Sequence, residues 1–160
     1  MHGRGDGRSG GTVLVGAHGG AGVSTLARLM CPARDMGAVA GLLREGRPYV
    51  RAEGPVVLVA RNTVSAAWHA TRAVTAIDAA RGQGDGHIAA LVIVADGAGP
   101  EPKDAAARFG LLHDRVCGVV RMPFVPELRL IDDPATVPLP RKVREVLETV
   151  WELAHCRPCH

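Results

Sequence analysis

The chain has 160 residues, 47% of them apolar, with 19 basic against 16 acidic side chains and a net charge of +3. That length suffices for one domain with a buried core and no disulfide staples. No apolar stretch approaches the roughly 18 residues of a membrane span, no apolar signal region opens the chain, and the basic side chains are scattered arginines apart from Lys103 and Lys142, so neither a membrane anchor, a polybasic lipid patch nor a nucleic-acid stripe is indicated. A cytoplasmic protein is expected, with Cys31 and Cys117 as buried free thiols in apolar surroundings.

Met1 to Gly11 is Gly, Arg, Asp and Ser with almost nothing apolar, which predicts a disordered leader; its Arg4-Gly5-Asp6 is read as a chance match to an adhesion tripeptide. Thr12 to Gly16 is the first strand, and Ser24 to Met30 reads as the opening turns of a helix. Cys31 to Gly54 is the least regular stretch: Met36 to Arg44 is expected to be a helix and Tyr49 to Arg51 a short extra strand, with Gly and Pro interrupting both. Val56 to Ala60 is a strand, followed by a helix over Thr63 to Ala80 with Thr63 as its cap. Gly82 to Gly86 is a surface loop, Leu91 to Ala95 a strand, Lys103 to His113 an amphipathic helix and Val116 to Val120 a strand. Five prolines make Met122 to Pro140 a long irregular connection, and Pro140 to Ala154 closes the pattern as a helix begun by proline.

The strand candidates are continuous apolar runs rather than alternating ones, as strands covered on both faces are. Alternation with helices predicts a three-layer α/β sandwich with a short, mainly parallel sheet of four or five strands. One domain over 12–155 is expected, with a leader at 1–11 and a tail at 156–160.

Between the first strand and helix lies Gly16-Ala-His-Gly-Gly-Ala-Gly-Val-Ser-Thr25. Glycines at 16, 19, 20 and 22 let the backbone turn sharply and aim successive N–H groups at an anion, with the helix dipole behind them. The phosphate-binding candidates are Gly19, Gly20, Ala21, Gly22, Val23, Ser24 and Thr25, with Ser24 also the candidate Mg²⁺ ligand. Val23 stands where a phosphate loop carries its lysine, and no replacement cation is evident nearby, because Arg28 lies one helical turn beyond Ser24. Losing that contact removes about 1.5–3 kcal/mol of binding and more from phosphoryl transfer.

His18-Gly-Gly-Ala-Gly-Val-Ser-Thr25 resembles the deviant Walker motif of MinD/ParA ATPases, Lys-Gly-Gly-x-Gly-Lys-Ser/Thr-Thr, with both lysines replaced, by His18 and Val23. Pro55 to Ser65, Leu91 to Asp96 and Val119 to Pro126 resemble the later strands of that family, so the resemblance spans most of a shortened chain, which is also similar to a group of short actinobacterial proteins with the same lysine-free loop. It implies ATP or ADP with Mg²⁺ as the ligand, Asp96, Arg121, Pro123 and Phe124 as base-side or lid residues, a protein partner, a homodimer across the nucleotide face, and nucleic acid only indirectly. The family places a strand bearing a metal-side Asp before the strand matching Val56 to Ala60, and the two dozen residues available look too few for it. With hydrolysis so weakened, the expected function is a non-catalytic, partner-binding or regulatory pseudo-ATPase that retains weak nucleotide or phosphate binding. The enzyme alternative is a weak ATPase whose missing cation comes from another chain.

A second alternative is a dinucleotide site. Gly16-x-x-x-Gly20-x-Gly22 after a strand looks like the fingerprint of short-chain dehydrogenases, which needs no lysine. Tyr49 is followed by Glu53 rather than by that family's lysine, and Asp35, though about 20 residues on, follows a helix and Cys-Pro rather than ending a strand. Asp96 is read equally as a Walker B-like carboxylate or as the opening of an Asp-Gly turn. Arg61 is placed to face an anion across the loop, and Phe124 to fill core. Cys156-Arg-Pro-Cys159-His160 matches a haem-attachment spacing by chance; with His155 it forms a candidate Zn²⁺ set.

Overall fold

The computed structural model describes residues 11–30, 32–44, 55–81, 88–129 and 132–155. Five strands, β1 (Thr12–Gly16), β2 (Ala33–Ala38), β3 (Val56–Arg61), β4 (Ile88–Val94) and β5 (Val119–Met122), form one sheet in the order β2-β1-β3-β4-β5. Every pairing is parallel. The helices are α1 (Val23–Leu29), α2 (Val39–Arg44), α3 (Val64–Arg81), α4 (Lys103–Gly110) and α5 (Arg141–His155), with short 3-10 turns at His113–Arg115, Pro126–Arg129 and Pro134–Thr136.

The continuous apolar runs become strands because each side chain has a helix layer to meet. Val13 and Val15 of β1, Val56, Leu58 and Ala60 of β3 and Leu91 and Ile93 of β4 face one layer, packing with Val39 of α2, Val74 and Ile77 of α3 and Phe109 of α4. Leu14, Val57, Val59 and Val92 face the other, against Leu26 of α1 and Val143, Val150 and Ala154 of α5. The period of two along each strand sorts the run into two cores. Four buried alanines of α3, at 66, 67, 70 and 73, present a small-residue surface to that first core. The three-layer α/β sandwich expected from the sequence is the fold observed.

The chain steps from β1 to β2 on one side, then crosses back to β3 and continues outward. Right-handed crossovers then require α1 and the helices α2 to α4 to lie on opposite faces, as they do. This reversal splits the helix layers above the end of β1, where ligands of open parallel sheets bind.

Most element boundaries follow the sequence within a few residues. The main correction lies before β3. Met36 to Arg44 is not one helix: its first residues belong to β2, an edge strand that is mostly exposed or half-buried, and only Val39–Arg44 is helical. Ala-Arg-Asp-Met-Gly-Ala lacks the apolar run of a central strand because, among the described residues, only one of its edges is paired within the sheet. The expected strand at Tyr49 to Arg51, the loop at Gly82 to Gly86, Cys31, the leader through Gly10 and the tail from Cys156 lie outside the described residues. Replacing the fully buried Leu58 at the middle of β3 tests the two-sided core: Leu58→Ala should lower unfolding free energy by about 2–5 kcal/mol, read as a shift in the urea midpoint.

Candidate functional site

The loop closes over the carboxyl end of β1 and turns into α1 through Gly22, whose φ of 102° lies in the left-handed region. A side chain there is strained by the contact between Cβ and the neighbouring backbone. Gly16 is fixed by proximity instead. A Cβ on it would lie 2.9 Å from Val23 Cγ2 and 3.0 Å from the His18 carbonyl oxygen.

Val23, at the lysine position, is only 8% exposed and packs into the core shared by α1 and α5. Ala21 is buried in the same cluster, so the loop is anchored from beneath by two apolar side chains. Gly19, Gly20 and Ser24 form its exposed surface. Thr25, half-buried, turns toward the ends of β4 and β5.

Two connections that sequence reading missed tie the loop to the strands on either side. On the β2 side, the Ser24 hydroxyl donates to Asp35 Oδ2 at 2.9 Å, while Asp35 Oδ1 accepts the Gly37 N–H at 2.8 Å. Asp35 is therefore the third residue of a strand beside β1, not a residue trailing a helix, and the segment judged too short for an acid-bearing strand contains one. On the β3 side, Arg61 Nε donates to the Gly20 carbonyl at 3.1 Å and the Arg61 N–H donates to His18 Nε2 at 3.2 Å. A guanidinium thus sits at the loop although no cation was evident in the local sequence. It lies 41 residues away and arrives only through the β1–β3 pairing. Arg28 points away as expected, paired with Asp133 at 3.1 Å on the exposed side of α1.

Beside the loop, Gly22, Thr25, Leu26, Arg61, Val94 and Phe124 line an apolar crevice under the Pro-rich connection after β5. Pro123 also borders it, so of the four expected base-side residues these two are brought to the loop. Arg121 is turned aside into a bidentate pair with Glu101 at 3.0 and 3.2 Å, and Asp96 is exposed beyond β4. The crevice holds about 80 Å³. That is well below the ~300–1,000 Å³ of preformed small-molecule sites. Among the described residues no group of three His, Cys, Asp or Glu side chains is arranged to hold a metal. Thr63 acts as the helix cap expected of it, its hydroxyl accepting the Ala66 N–H at 3.0 Å.

Comparison of the chain with protein-family models, with curated proteins and with solved structures gives no match.

Two of the loop glycines, Gly22 and Gly19, separate cleanly in what they should tolerate. Gly22→Ala should cost about 1–2 kcal/mol of stability from its positive φ, whereas Gly19→Ala, at an ordinary φ with nothing within 4 Å of an added Cβ, should stay within about 0.5 kcal/mol in the same denaturant titration.

Proposed function

We propose that this protein is a P-loop-like pseudo-ATPase: a non-catalytic, partner-binding or regulatory protein whose glycine loop takes a nucleotide or phosphate weakly. The observation that carries the reading is the burial of Val23. At the position where a phosphate loop extends a lysine over the γ-phosphate, this chain sends an apolar side chain into its core. What remains is backbone N–H groups, the start of α1 and the Ser24–Asp35 pair, which is the right chemistry for Mg²⁺: a hydroxyl and a carboxylate within reach of one ion. Such a site favours binding over turnover, because the lysine that would meet charge developing in phosphoryl transfer is replaced by a buried valine. Arg61 lies at the loop, yet its Nε is engaged by the Gly20 carbonyl and so braces the loop. The partner half of the reading is supported by apolar surface away from the loop: Trp68 is 51% exposed with the Arg108 guanidinium 3.8 Å from its ring centroid, and Leu111 is 78% exposed.

The enzyme alternative, an ATPase completed by a cation from another chain, uses the same pair of residues. The dinucleotide reading gains from one observation. Asp35 does lie on the strand beside β1, where such sites hold an acid for the ribose, although its two oxygens already accept from Ser24 and Gly37.

Calorimetric titration with ATP, ADP and NAD, each with and without Mg²⁺, ranks the three. Weak, Mg²⁺-assisted ATP or ADP binding without turnover is expected; Mg²⁺-dependent hydrolysis by the isolated protein would overturn the pseudo-ATPase reading, and preference for NAD would favour the dinucleotide one. Val23→Lys should tighten nucleotide binding roughly tenfold or more by restoring a charge-assisted contact, and Asp35→Asn should weaken the Mg²⁺ assistance. Unchanged affinity in a folded Val23→Lys protein would mean that the loop does not cradle phosphate in the Walker manner.

A further inference from the structure

We propose that His18 is a protonation-operated latch, holding the glycine loop against the end of β3 only while its ring is neutral. The assignment begins with a group that has no choice of role. The Arg61 backbone N–H can only donate, and it points at His18 Nε2, 3.2 Å away, so that nitrogen presents a lone pair. A neutral imidazole with a bare Nε2 carries its proton on Nδ1. His18 Nδ1 lies 2.8 Å from the Gly19 carbonyl oxygen, a group that can only accept. Both contacts therefore select one tautomer, which ties the loop to the last residue of β3.

A proton added at Nε2 would confront the Arg61 N–H with a second donor. The bond is lost, and a part-buried backbone donor is left without its acceptor. The same residue sends its Nε to the Gly20 carbonyl, so displacing the Arg61 backbone disturbs two of the ties on residues 18 to 20 together. The groups around the ring do not offer a substitute. Arg61 faces it from β3, and His69 on α3 lies with its ring centroid 5.8 Å away at 44°. Arg72, also on α3, lines with His69 and Ala17 the groove alongside. Asp35 on β2 is held by Ser24 and Gly37, and among the described residues no carboxylate bonds to the imidazole. The latch rests on contacts within the protein and stands or falls independently of what the loop binds.

The test uses the full ¹⁵N-labelled chain, followed by NMR on acidification from about pH 8 until the His18 ring is charged. At the upper end His18 should show the Nδ1–H tautomer. On acidification the Gly19, Gly20 and Arg61 amide signals should shift with the midpoint of the His18 ring, and Arg61 amide exchange, corrected for its intrinsic pH dependence, should rise roughly tenfold. His18→Gln retains a neutral acceptor of similar reach and should hold the loop signals fixed over that range, whereas His69→Gln should leave the transition in place. A His18 ring protonated on Nε2 at the upper end, loop amides that ignore its titration, or a transition that survives in His18→Gln would each overturn the latch. If His18→Gln does not fold, the tautomer and the coupled amide shifts of the unaltered protein still decide.

Discussion

The contact between Val23 and Gly16 fixes how this loop can work. A lysine at position 23 would make the loop depend on an anion, since its charge needs a partner above the glycines. Valine reverses the dependence, because its side chain points down, into the space that the missing Cβ of Gly16 leaves free. The loop is thereby folded by apolar packing from below and has no charge of its own to satisfy. Transfer of such a side chain from water contributes about 1.5–3 kcal/mol. That is the same scale as a charge-assisted contact to phosphate, so under the proposed function valine gives the loop intrinsic order in place of ligand affinity.

The remaining ties follow the same logic. In an anion-dependent loop, exposed carbonyls and the serine hydroxyl look toward solvent or metal. Here the Gly20 carbonyl is taken by Arg61, the Gly19 carbonyl by His18 and the Ser24 hydroxyl by Asp35. The three ties come from the flanking strands or from within the loop, and they exist because β1 is a central strand with β2 and β3 on either side. The strand order thus supplies the chemistry at the loop as well as the crevice beside it.

This also explains which parts of the site were legible in the sequence. The glycines, the strand before them and the helix after them are local, and their residue types carry the geometry directly. The central strands were equally plain, since two-sided burial forces β-branched runs such as Val56-Val-Leu-Val59. β2 was hidden because an edge strand needs no such run, and its Asp35 therefore looked like a loop residue. Arg61 was recognisable as a cation near a strand end, but its reach to Gly20 is a tertiary fact set by the β1–β3 register. Arg121 shows the opposite limit: it occupies a fitting sequence position, and Glu101, 20 residues earlier, draws its side chain aside.

A loop already satisfied by its own protein responds to a ligand differently from an empty cradle. An incoming phosphate meets an Arg61 bonded to Gly20, and a metal ion meets an Asp35 that already holds Ser24, so each must exchange one bond for another. Net affinity is then the difference between two comparable terms. The apolar crevice lined by Phe124 holds about 80 Å³ beside the same loop, below the ~300–1,000 Å³ of preformed small-molecule sites. The groups that make these bonds belong to β2 and to the end of β3, and Arg28 pairs with Asp133 on the exposed side of α1. On the proposed reading, a ligand at the loop would have to exchange these bonds and would thereby be felt at β2 and β3. Under the proposed function, that coupling suits a protein that reports occupancy to a partner better than one that turns its ligand over.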